Sequence, residues 1–158
     1  MRIGVITDTH DHQEKIAAAV RHFNDAQVDR VLHAGDLIAP FTRREFAQLT
    51  VPMTAVFGNN DGERLGLKAQ FGDIFVPPYE LTLADRRIAL LHEPDCLEAV
   101  HRGGVYDLVI YGHTHQIDVR WDARTRVLNP GESCCWLTGK AHIAIVDLIA
   151  MTYELIEI

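Results

Sequence analysis

The stretch that decides the fold lies at the start of the chain, where residues 2–10 read Arg-Ile-Gly-Val-Ile-Thr-Asp-Thr-His. Residues 2–7 are mostly apolar and β-branched, which is typical of a strand that is buried on both faces. The segment that follows, 13–25, carries apolar residues at helical spacing. This opening therefore predicts a strand, a loop that begins with an acidic residue, and a helix.

The same succession of strand, turn and helix continues further along the chain. Residues 30–33 lead into a Gly-Asp turn and a predicted helix at 41–49, and residues 53–57 lead into Gly58. Strands that alternate with helices predict a parallel sheet with right-handed crossovers. The first third of the chain is thus predicted to form a βαβαβ unit.

After Pro77-Pro78 the sequence changes to short strands. Segments 79–84 and 86–91 flank a predicted hairpin turn, and a helix near 95–102 returns to a strand at 107–111. Further short segments rich in Val, Ile, Thr and Tyr lie at 117–122, 126–129, 142–148 and 152–157. We expect these late segments to form a second sheet that is antiparallel or mixed. The predicted fold class is α/β, a four-layer α/β/β/α sandwich of two mixed β-sheets flanked by helices, in a single domain over residues 1–158.

Composition and charge narrow the class of protein. A chain of 158 residues that is 47% hydrophobic can close the core of one ordinary domain. The formal net charge of −7 argues against a protein that holds nucleic acid by a basic surface, so no stable nucleic-acid complex is expected. Bound divalent cations would instead concentrate positive charge in one place.

Cysteine usage and hydropathy predict a cytoplasmic protein without a membrane partner. The three cysteines are an odd number without repeated spacing, so they predict neither a disulfide framework nor a zinc ribbon. The N-terminal apolar run is a strand opening rather than a secretory segment, and no stretch approaches the roughly 18 apolar residues of a membrane helix. The apolar stretch 134–137 is a candidate contact surface for a homodimer or higher homo-oligomer.

Residue types that bind metal ions recur where the predicted strands end. The residues that share this placement are Asp8, His10, Asp36, Asn59, His92, His113 and His115. Because the crevice beyond the carboxyl ends of strands is where open α/β sheets bind ligands, we expect these side chains to converge in one pocket. Carboxylate oxygens and imidazole nitrogens suit Mn, Fe, Zn, Co or Ni, and a carboxylate can bridge two ions.

This ordered set resembles the calcineurin-like metallophosphoesterases, whose pattern runs Asp-x-His, Gly-Asp, Gly-Asn-(His or Cys)-Asp, His and Gly-His-x-His. The chain is most similar to the short single-domain phosphodiesterase branch, because it has no room for the extra caps and loops of protein phosphatases. The segments His33-Ala34-Gly35-Asp36 and Asn129-Pro130-Gly131 also resemble that branch. The resemblance implies two divalent metal ions, with Mn expected first and Fe, Zn, Ni, Co or Mg as alternatives.

The resemblance also implies roles for individual residues. The ligands of the first ion would be Asp8, His10, Asp36 and His115, and those of the second Asp36, Asn59, His92 and His113. The implied activity is that of a phosphodiesterase, in which a hydroxide that bridges the two ions attacks phosphorus in line. The substrate would be a phosphorylated small molecule, and the candidate catalytic residues are Asp36, Asn59 and His113.

Two positions depart from the family pattern. Asn60 stands where relatives have His or Cys, and an amide cannot act as a general acid because it has no proton that dissociates in the useful range. Glu93 follows His92 where other members have Gly, and both a supporting role and an exposed loop position are open for it. Asn60 and His12 are the candidate substrate-binding residues.

Several features have a structural interpretation beside the functional one. We expect Trp121 and Trp136 to be core or interface residues, and Asn129-Pro130-Gly131 to support the site structurally. For His33, support of Asp36 and simple packing are both open. The remaining histidines are expected to be solvated or to cap helices, and they are His22, His101 and His142.

A protein-binding scaffold is the chief alternative function. A subunit of the retromer coat resembles these enzymes in fold but has an altered metal site. This chain keeps every candidate ligand, which favours catalysis.

Overall fold

A computed structural model gives the fold for residues 1–121 and 123–158. The strands in these residues are β1 (Arg2–Ile6), β2 (Arg30–His33), β3 (Met53–Val56), β4 (Ile74–Phe75), β5 (Tyr79–Leu83), β6 (Arg86–Leu90), β7 (Leu108–Ile110), β8 (Ile117–Arg120), β9 (Arg126–Pro130), β10 (His142–Asp147) and β11 (Thr152–Glu157). The helices are α1 (Gln13–Asp25), α2 (Arg43–Phe46), α3 (Arg64–Phe71) and α4 (Leu97–Gly103), with a 3₁₀ turn at Pro40–Thr42 before α2.

The strands form two mixed sheets. The first has the order β11-β10-β1-β2-β3-β4, and the second has the order β5-β6-β7-β9-β8. In the first sheet β1 to β4 run parallel, while β10 is antiparallel to both β1 and β11. In the second sheet β6, β7 and β9 run parallel, and β5 and β8 are antiparallel edge strands.

Alternating side chains along the strands bury both faces of each sheet. Val5 of the first sheet and Ile110 of the second lie in one apolar cluster, so the two sheets pack face to face. The next residue along β1, Ile6, packs instead with α1, and Val109 of β7 packs with Leu97 of α4. Helices therefore cover the outer faces, and the predicted four-layer α/β/β/α sandwich is confirmed.

The sheet assignment of the last two strands was wrong. They were expected in the second sheet, but β10 pairs with β1 and β11 pairs with β10, so both extend the first sheet. Ala144 and Val146 pack between the sheets, while Ile143 and Ile145 pack on the helix side. A strand that is apolar on both faces needs cover on both, and the position beside β1 provides it.

Other boundaries also differ from the prediction. The helix expected at 41–49 is only α2 after a 3₁₀ turn, since Phe46 is its buried side chain and a longer apolar stripe is lacking. Neither α3 nor β4 was predicted, because Leu67 is the buried residue of α3 and gives little periodic signal. The strand expected at 117–122 ends at Arg120, and residue 122 lies outside the described residues.

In the described part of the chain, none of the helices combines the length and the apolar character that a bilayer span requires.

Candidate metal centre

All seven predicted ligands lie in loops that follow the carboxyl ends of β1, β2, β3, β6 and β7. The φ angles of five of them fall between 40° and 68°, and these are Asp8, His10, Asp36, His113 and His115. Positive φ is uncommon for residues other than glycine and is concentrated at functional sites, where the surrounding structure enforces it. The loops are therefore shaped to aim these side chains.

One group of candidate ligands gathers around Asp8. Nε2 of His115 lies 3.7 Å from Oδ1 of Asp8, and Nε2 of His10 lies 3.3 Å from Oδ2 of Asp36. The rings of His10 and His115 are 5.1 Å apart between centroids. Both carboxylates are buried. These four residues are the set that was predicted for the first ion.

A second group gathers around Asn59. Its Oδ1 lies 2.8 Å from Nε2 of His92 and 2.9 Å from Nδ1 of His113. Nε2 of His92 also lies 3.6 Å from Oδ1 of Asp36. Asp36 therefore presents Oδ2 to the first group and Oδ1 to the second, the arrangement that a bridging carboxylate requires.

The donor atoms of both groups fit divalent cations. Nε2 of His10 is buried and has no hydrogen-bond partner among the described residues, so it is available to a ligand. Nδ1 of His92 lies 2.8 Å from the carbonyl oxygen of Ala34, and since a carbonyl only accepts, Nδ1 carries the proton. In the neutral ring, Nε2 of His92 then turns a lone pair towards Oδ1 of Asn59. Two acceptors this close repel each other, and a shared cation would remove that repulsion.

Charge also favours a cation at this place. Burial raises the pKa of Asp8, although His92, a hydrogen bond from Thr7 and His115 act in the opposite direction. Within the described residues, the ion-pair partners of Asp8 and Asp36 are histidines. Buried carboxylates are costly unless they are paired or bind metals, so bound cations would stabilise this cluster.

Asp61 fixes the loops that carry Asp36 and Asn59. Its Oδ2 accepts the backbone N–H of Gly58 at 2.7 Å and of Asp36 at 3.1 Å, and its Oδ1 accepts that of Ile38 at 2.7 Å. Burial raises the pKa of Asp61, and these hydrogen bonds oppose the rise.

A Cβ at Gly58 would collide with the Asp36 carboxylate, so this close approach of the two loops requires glycine.

Glu132 is a supporting residue that sequence reasoning missed. Its Oε2 lies 2.7 Å from Nδ1 of His115, which therefore donates and leaves Nε2 for a ligand. Burial raises the pKa of Glu132, but hydrogen bonds from His115 and Thr138 outweigh it and lower the pKa to about 2. An ionised carboxylate on a ligating histidine fixes the tautomer and the orientation of the ring. The available signal was an acidic residue directly after the Asn-Pro-Gly turn.

Cys134 was also missed as part of this centre. It was assigned to an apolar contact stretch, but it is fully buried, and its Sγ lies within 4.8 Å of ligand atoms of His10 and His115. Sγ donates to Oε2 of Glu132 at 3.2 Å. Burial raises the pKa of Cys134 to about 12, so the side chain is a thiol at neutral pH.

His33 supports Asp36 through Thr9. Its Nδ1 accepts the backbone N–H of Gly35 at 3.1 Å, so Nε2 carries the proton and donates to Oγ1 of Thr9 at 3.2 Å. That hydroxyl donates to the carbonyl oxygen of Asp36 at 3.2 Å. Burial lowers the pKa of His33 to about 3, which keeps the ring neutral. Of the two interpretations that the sequence left open, these contacts favour support of Asp36.

The Asn-Pro-Gly turn holds the loop that carries His113. Nδ2 of Asn129 donates to the carbonyl oxygen of Gly112 at 3.0 Å and to Oγ1 of Thr114 at 3.1 Å. The backbone N–H of His113 in turn donates to Oδ1 and Oδ2 of Asp8, at 3.2 and 3.1 Å. The turn therefore gives the structural support expected of it.

The two candidate substrate-binding residues lie at the edge of the centre. Nδ2 of Asn60 donates to Oδ2 of Asp36 at 2.8 Å, and its backbone N–H donates to Oδ1 at 2.9 Å. His12 is half-buried, and its ring centroid lies 6.4 Å from that of Trp136. Their roles towards a substrate stay predictions.

Comparison with known proteins identifies the class to which this fold and centre belong. The sequence profile of the calcineurin-like phosphoesterase superfamily domain matches residues 1–151. The chain therefore belongs to the calcineurin-like phosphoesterase superfamily, and the resemblance predicted from the motifs is confirmed.

Individual relatives match over most of their length. The chain is 38% identical over 161 residues to phosphodiesterase MJ0936 of Methanocaldococcus jannaschii, covering 98% of this chain and 97% of that protein. It is 34% identical over 145 residues to a probable metallophosphoesterase of Methanothermobacter thermautotrophicus, covering 83% and 76%. A solved structure described as a novel archaeal phosphodiesterase has a TM-score of 0.95 at 38% identity and covers 100% of both chains. The chain is an enzyme of the phosphoesterase class.

Proposed function

We propose that the chain, acting as one domain over residues 1–158, hydrolyses phosphodiesters with two divalent metal ions. The observation that carries this proposal is Asp36, whose two carboxylate oxygens face different groups of ligands. The first ion would be held by Asp8, His10, Asp36 and His115, and the second by Asp36, Asn59, His92 and His113. Mn suits this mixture of oxygen and imidazole ligands, as do Fe, Zn, Ni, Co or, less readily, Mg.

When bound, the two ions supply positive charge and, from water, a hydroxide that can attack phosphorus at neutral pH. The protein contributes ligands whose positions are fixed beforehand. Glu132 orients His115, and Asp61 holds the backbone of Asp36. Groups that are held in this way need no reorganisation during the reaction, which lowers its barrier.

Three residues are the candidates to act on the reacting phosphate. Asp36 faces both ligand groups. Asn59 contacts the two histidines of the second group, and one of these, His113, is exposed and open to an incoming substrate. Asn60 has two amide hydrogens, of which one already goes to Asp36. The other can donate a neutral hydrogen bond to a substrate oxygen, beside a contact from His12.

Charge supports a small diester as the substrate. A phosphodiester has one negative charge and a monoester up to two, so a monoester needs more positive charge from the protein. Within the described residues, the hydrogen bonds and ion pairs of Asp8 and Asp36 involve no Lys or Arg. Arg64 lines a pocket with Asn59, but its guanidinium donates to the carbonyl oxygens of Asp61 and Gly58. The net charge of −7 also disfavours a long nucleic acid, which needs many basic residues for binding.

The proposal is tested by metal-dependent hydrolysis. Metal-free protein should be inactive on bis-p-nitrophenyl phosphate, and Mn²⁺ should restore turnover, with slower or no release from p-nitrophenyl phosphate. His10→Ala and His113→Ala should abolish turnover while circular dichroism shows an intact fold. His22→Ala, the same change at an exposed position of α1, is the control and should keep full activity. Undiminished turnover in either ligand variant would remove that histidine from the mechanism.

A further inference from the structure

A large aromatic side chain is exposed beside the candidate metal centre. Trp136 is 61% exposed, and its ring centroid lies 5.8 Å from that of His10 and 6.4 Å from that of His12. Leu137, the next residue, is 75% exposed. Trp136 was expected in the core or at an interface. Its exposure excludes the core, and its ring lies at the rim of the centre.

The loop that carries Trp136 is fixed to the ligand set. The Glu132 carboxylate accepts the backbone N–H of Leu137 at 2.9 Å and also the hydroxyl of Thr138 at 2.7 Å. The same carboxylate accepts Nδ1 of His115 at 2.7 Å. One buried group thus positions both a candidate ligand and the loop beside it, so the indole stands at a defined distance from the centre.

A fixed and exposed indole is a surface on which a flat aromatic group can stack. Tryptophan offers a wide apolar face, and base or aryl rings stack on such faces with little dependence on their substituents. In an aryl ester, one oxygen atom joins the aromatic ring to phosphorus. When the phosphate is at the metal centre, such a ring is close enough to reach Trp136, because Trp136 lies beside the candidate ligand His10. The exposed ring of Trp136 lies beside His10, at the edge of the centre.

We propose that Trp136 binds the aromatic ester group of the substrate, so that the enzyme prefers diesters of aryl alcohols. This inference rests on the proposed phosphodiesterase function and adds to it the class of the ester group. Trp136 is then a specificity-determining residue. A second copy of the chain could also cover Trp136, but a partner seated there would obstruct the approach to His10.

Equilibrium binding tests the inference separately from turnover. Isothermal titration calorimetry on Mn-loaded protein would compare diphenylphosphinate with diethylphosphinate, which have the same charge and differ in the aromatic ring. Their phosphorus–carbon bonds replace the ester bonds of the diesters and are not hydrolysed during the titration. We expect diphenylphosphinate to bind more tightly, and Trp136→Ala to reduce that preference about tenfold. Trp136→Phe keeps a ring and should retain most of it. Tyr153→Leu removes an exposed aromatic side chain from β11 and is the control, with no expected change.

The outcomes separate this inference from the function on which it rests. An equal preference for diphenylphosphinate in the native and Trp136→Ala proteins would overturn it, even if diesters are hydrolysed. Aryl preference that depends on Trp136 in a protein without hydrolysis would support the stacking site and refute the phosphodiesterase. If Trp136→Ala instead turned a dimer into a monomer and left the preference unchanged, Trp136 would be an interface residue.

Discussion

Glu132 and His115 are joined by a hydrogen bond of 2.7 Å between Oε2 and Nδ1. The two residues lie on opposite sides of β8 and β9 in the chain, so this contact ties the turn after β9 to the ligand loop after β7. It leaves Nε2 of His115 directed at Asp8, at 3.7 Å from Oδ1. The orientation of a candidate ligand thus depends on a residue that would not itself bind an ion.

Glu132→Gln should weaken the binding of the first metal ion. A glutamine at this position keeps the size of the side chain but loses the charge and one acceptor oxygen, so His115 is held less firmly. Loss of such a supporting carboxylate typically lowers metal affinity about 10–100-fold. Calorimetric titration with Mn²⁺ would show the change in one binding step. Glu154→Gln, at an exposed position of β11, is the matched control, and equal affinities in the two variants would contradict the supporting role.

Gly58→Ala should damage the centre, whereas Gly62→Ala should not. A Cβ at Gly58 would meet the carboxylate of Asp36 and lie 2.5 Å from its backbone nitrogen, while at Gly62 nothing lies within 4 Å. We expect Gly58→Ala to lower the free energy of unfolding by about 1–3 kcal/mol and to weaken Mn²⁺ binding. Denaturant unfolding of the metal-free proteins measures the first effect. Equal free energies of unfolding and equal Mn²⁺ affinities in the two variants would show that the loops can move apart without loss of stability.

Asn60 should leave the enzyme dependent on good leaving groups. No proton donor of useful acidity stands at this position, so kcat/KM should fall steeply across a series of aryl and alkyl diesters as the pKa of the leaving alcohol rises. Asn60→His should flatten this dependence, because a positioned acid contributes about 10²–10⁴-fold for poor leaving groups. Asn60→Ala separates this effect from loss of the hydrogen bond to Asp36 and should keep the steep slope. Equal slopes in the native and Asn60→His proteins would point to another acid, with His12 the first residue to test.

Asp118 should stabilise the fold only at pH values at which its carboxyl group is ionised. Burial raises the pKa of Asp118, but hydrogen bonds from Arg120 and Tyr111 outweigh this effect and lower the pKa below 3.8. The unfolded chain therefore takes up the proton first, so this stability is present above the unfolded pKa and is lost as pH falls through the folded pKa. The free energy of unfolding of Asp118→Asn should be lower than that of the native protein at pH 6. The two values should converge as the pH falls below about 4. Denaturant unfolding in the presence of a chelator, from pH 2.5 to 6, measures these free energies, and Asp25→Asn is the exposed control. If the free energies of Asp118→Asn and the native protein differed by the same amount at every pH, the prediction would be refuted.

Much of the site was predictable because it follows strand ends. The helix expected at 13–25 is observed as Gln13–Asp25, and the buried strand before it ends two residues ahead of Asp8. Local periodicity determines such elements, and parallel strands bring their carboxyl ends together without further information. The convergence of Asp8 and Asp36 could therefore be inferred from the order of motifs.

The pairing of strands that are distant in sequence and the burial of individual side chains could not be predicted from local periodicity. Periodicity shows that β10 is apolar on both faces but not that it pairs with β1, because many strands could accept such an edge. The contact between Glu132 and His115 joins residues 17 apart through a turn whose path the sequence does not specify. Trp136 is a residue type that is usually buried, and only the fold shows that its loop holds it outside.

Titration of metal-free protein with Mn²⁺, while the rate of bis-p-nitrophenyl phosphate hydrolysis is followed, tests the central claim most directly. The two groups that meet at Asp36 predict saturation at two ions per chain, with full hydrolysis only when both are bound. Asp36→Asn, which replaces one of the two bridging oxygens with an amide nitrogen and removes the negative charge, should weaken both binding steps. Saturation at one ion or none, or two bound ions without hydrolysis of the diester, would contradict the account.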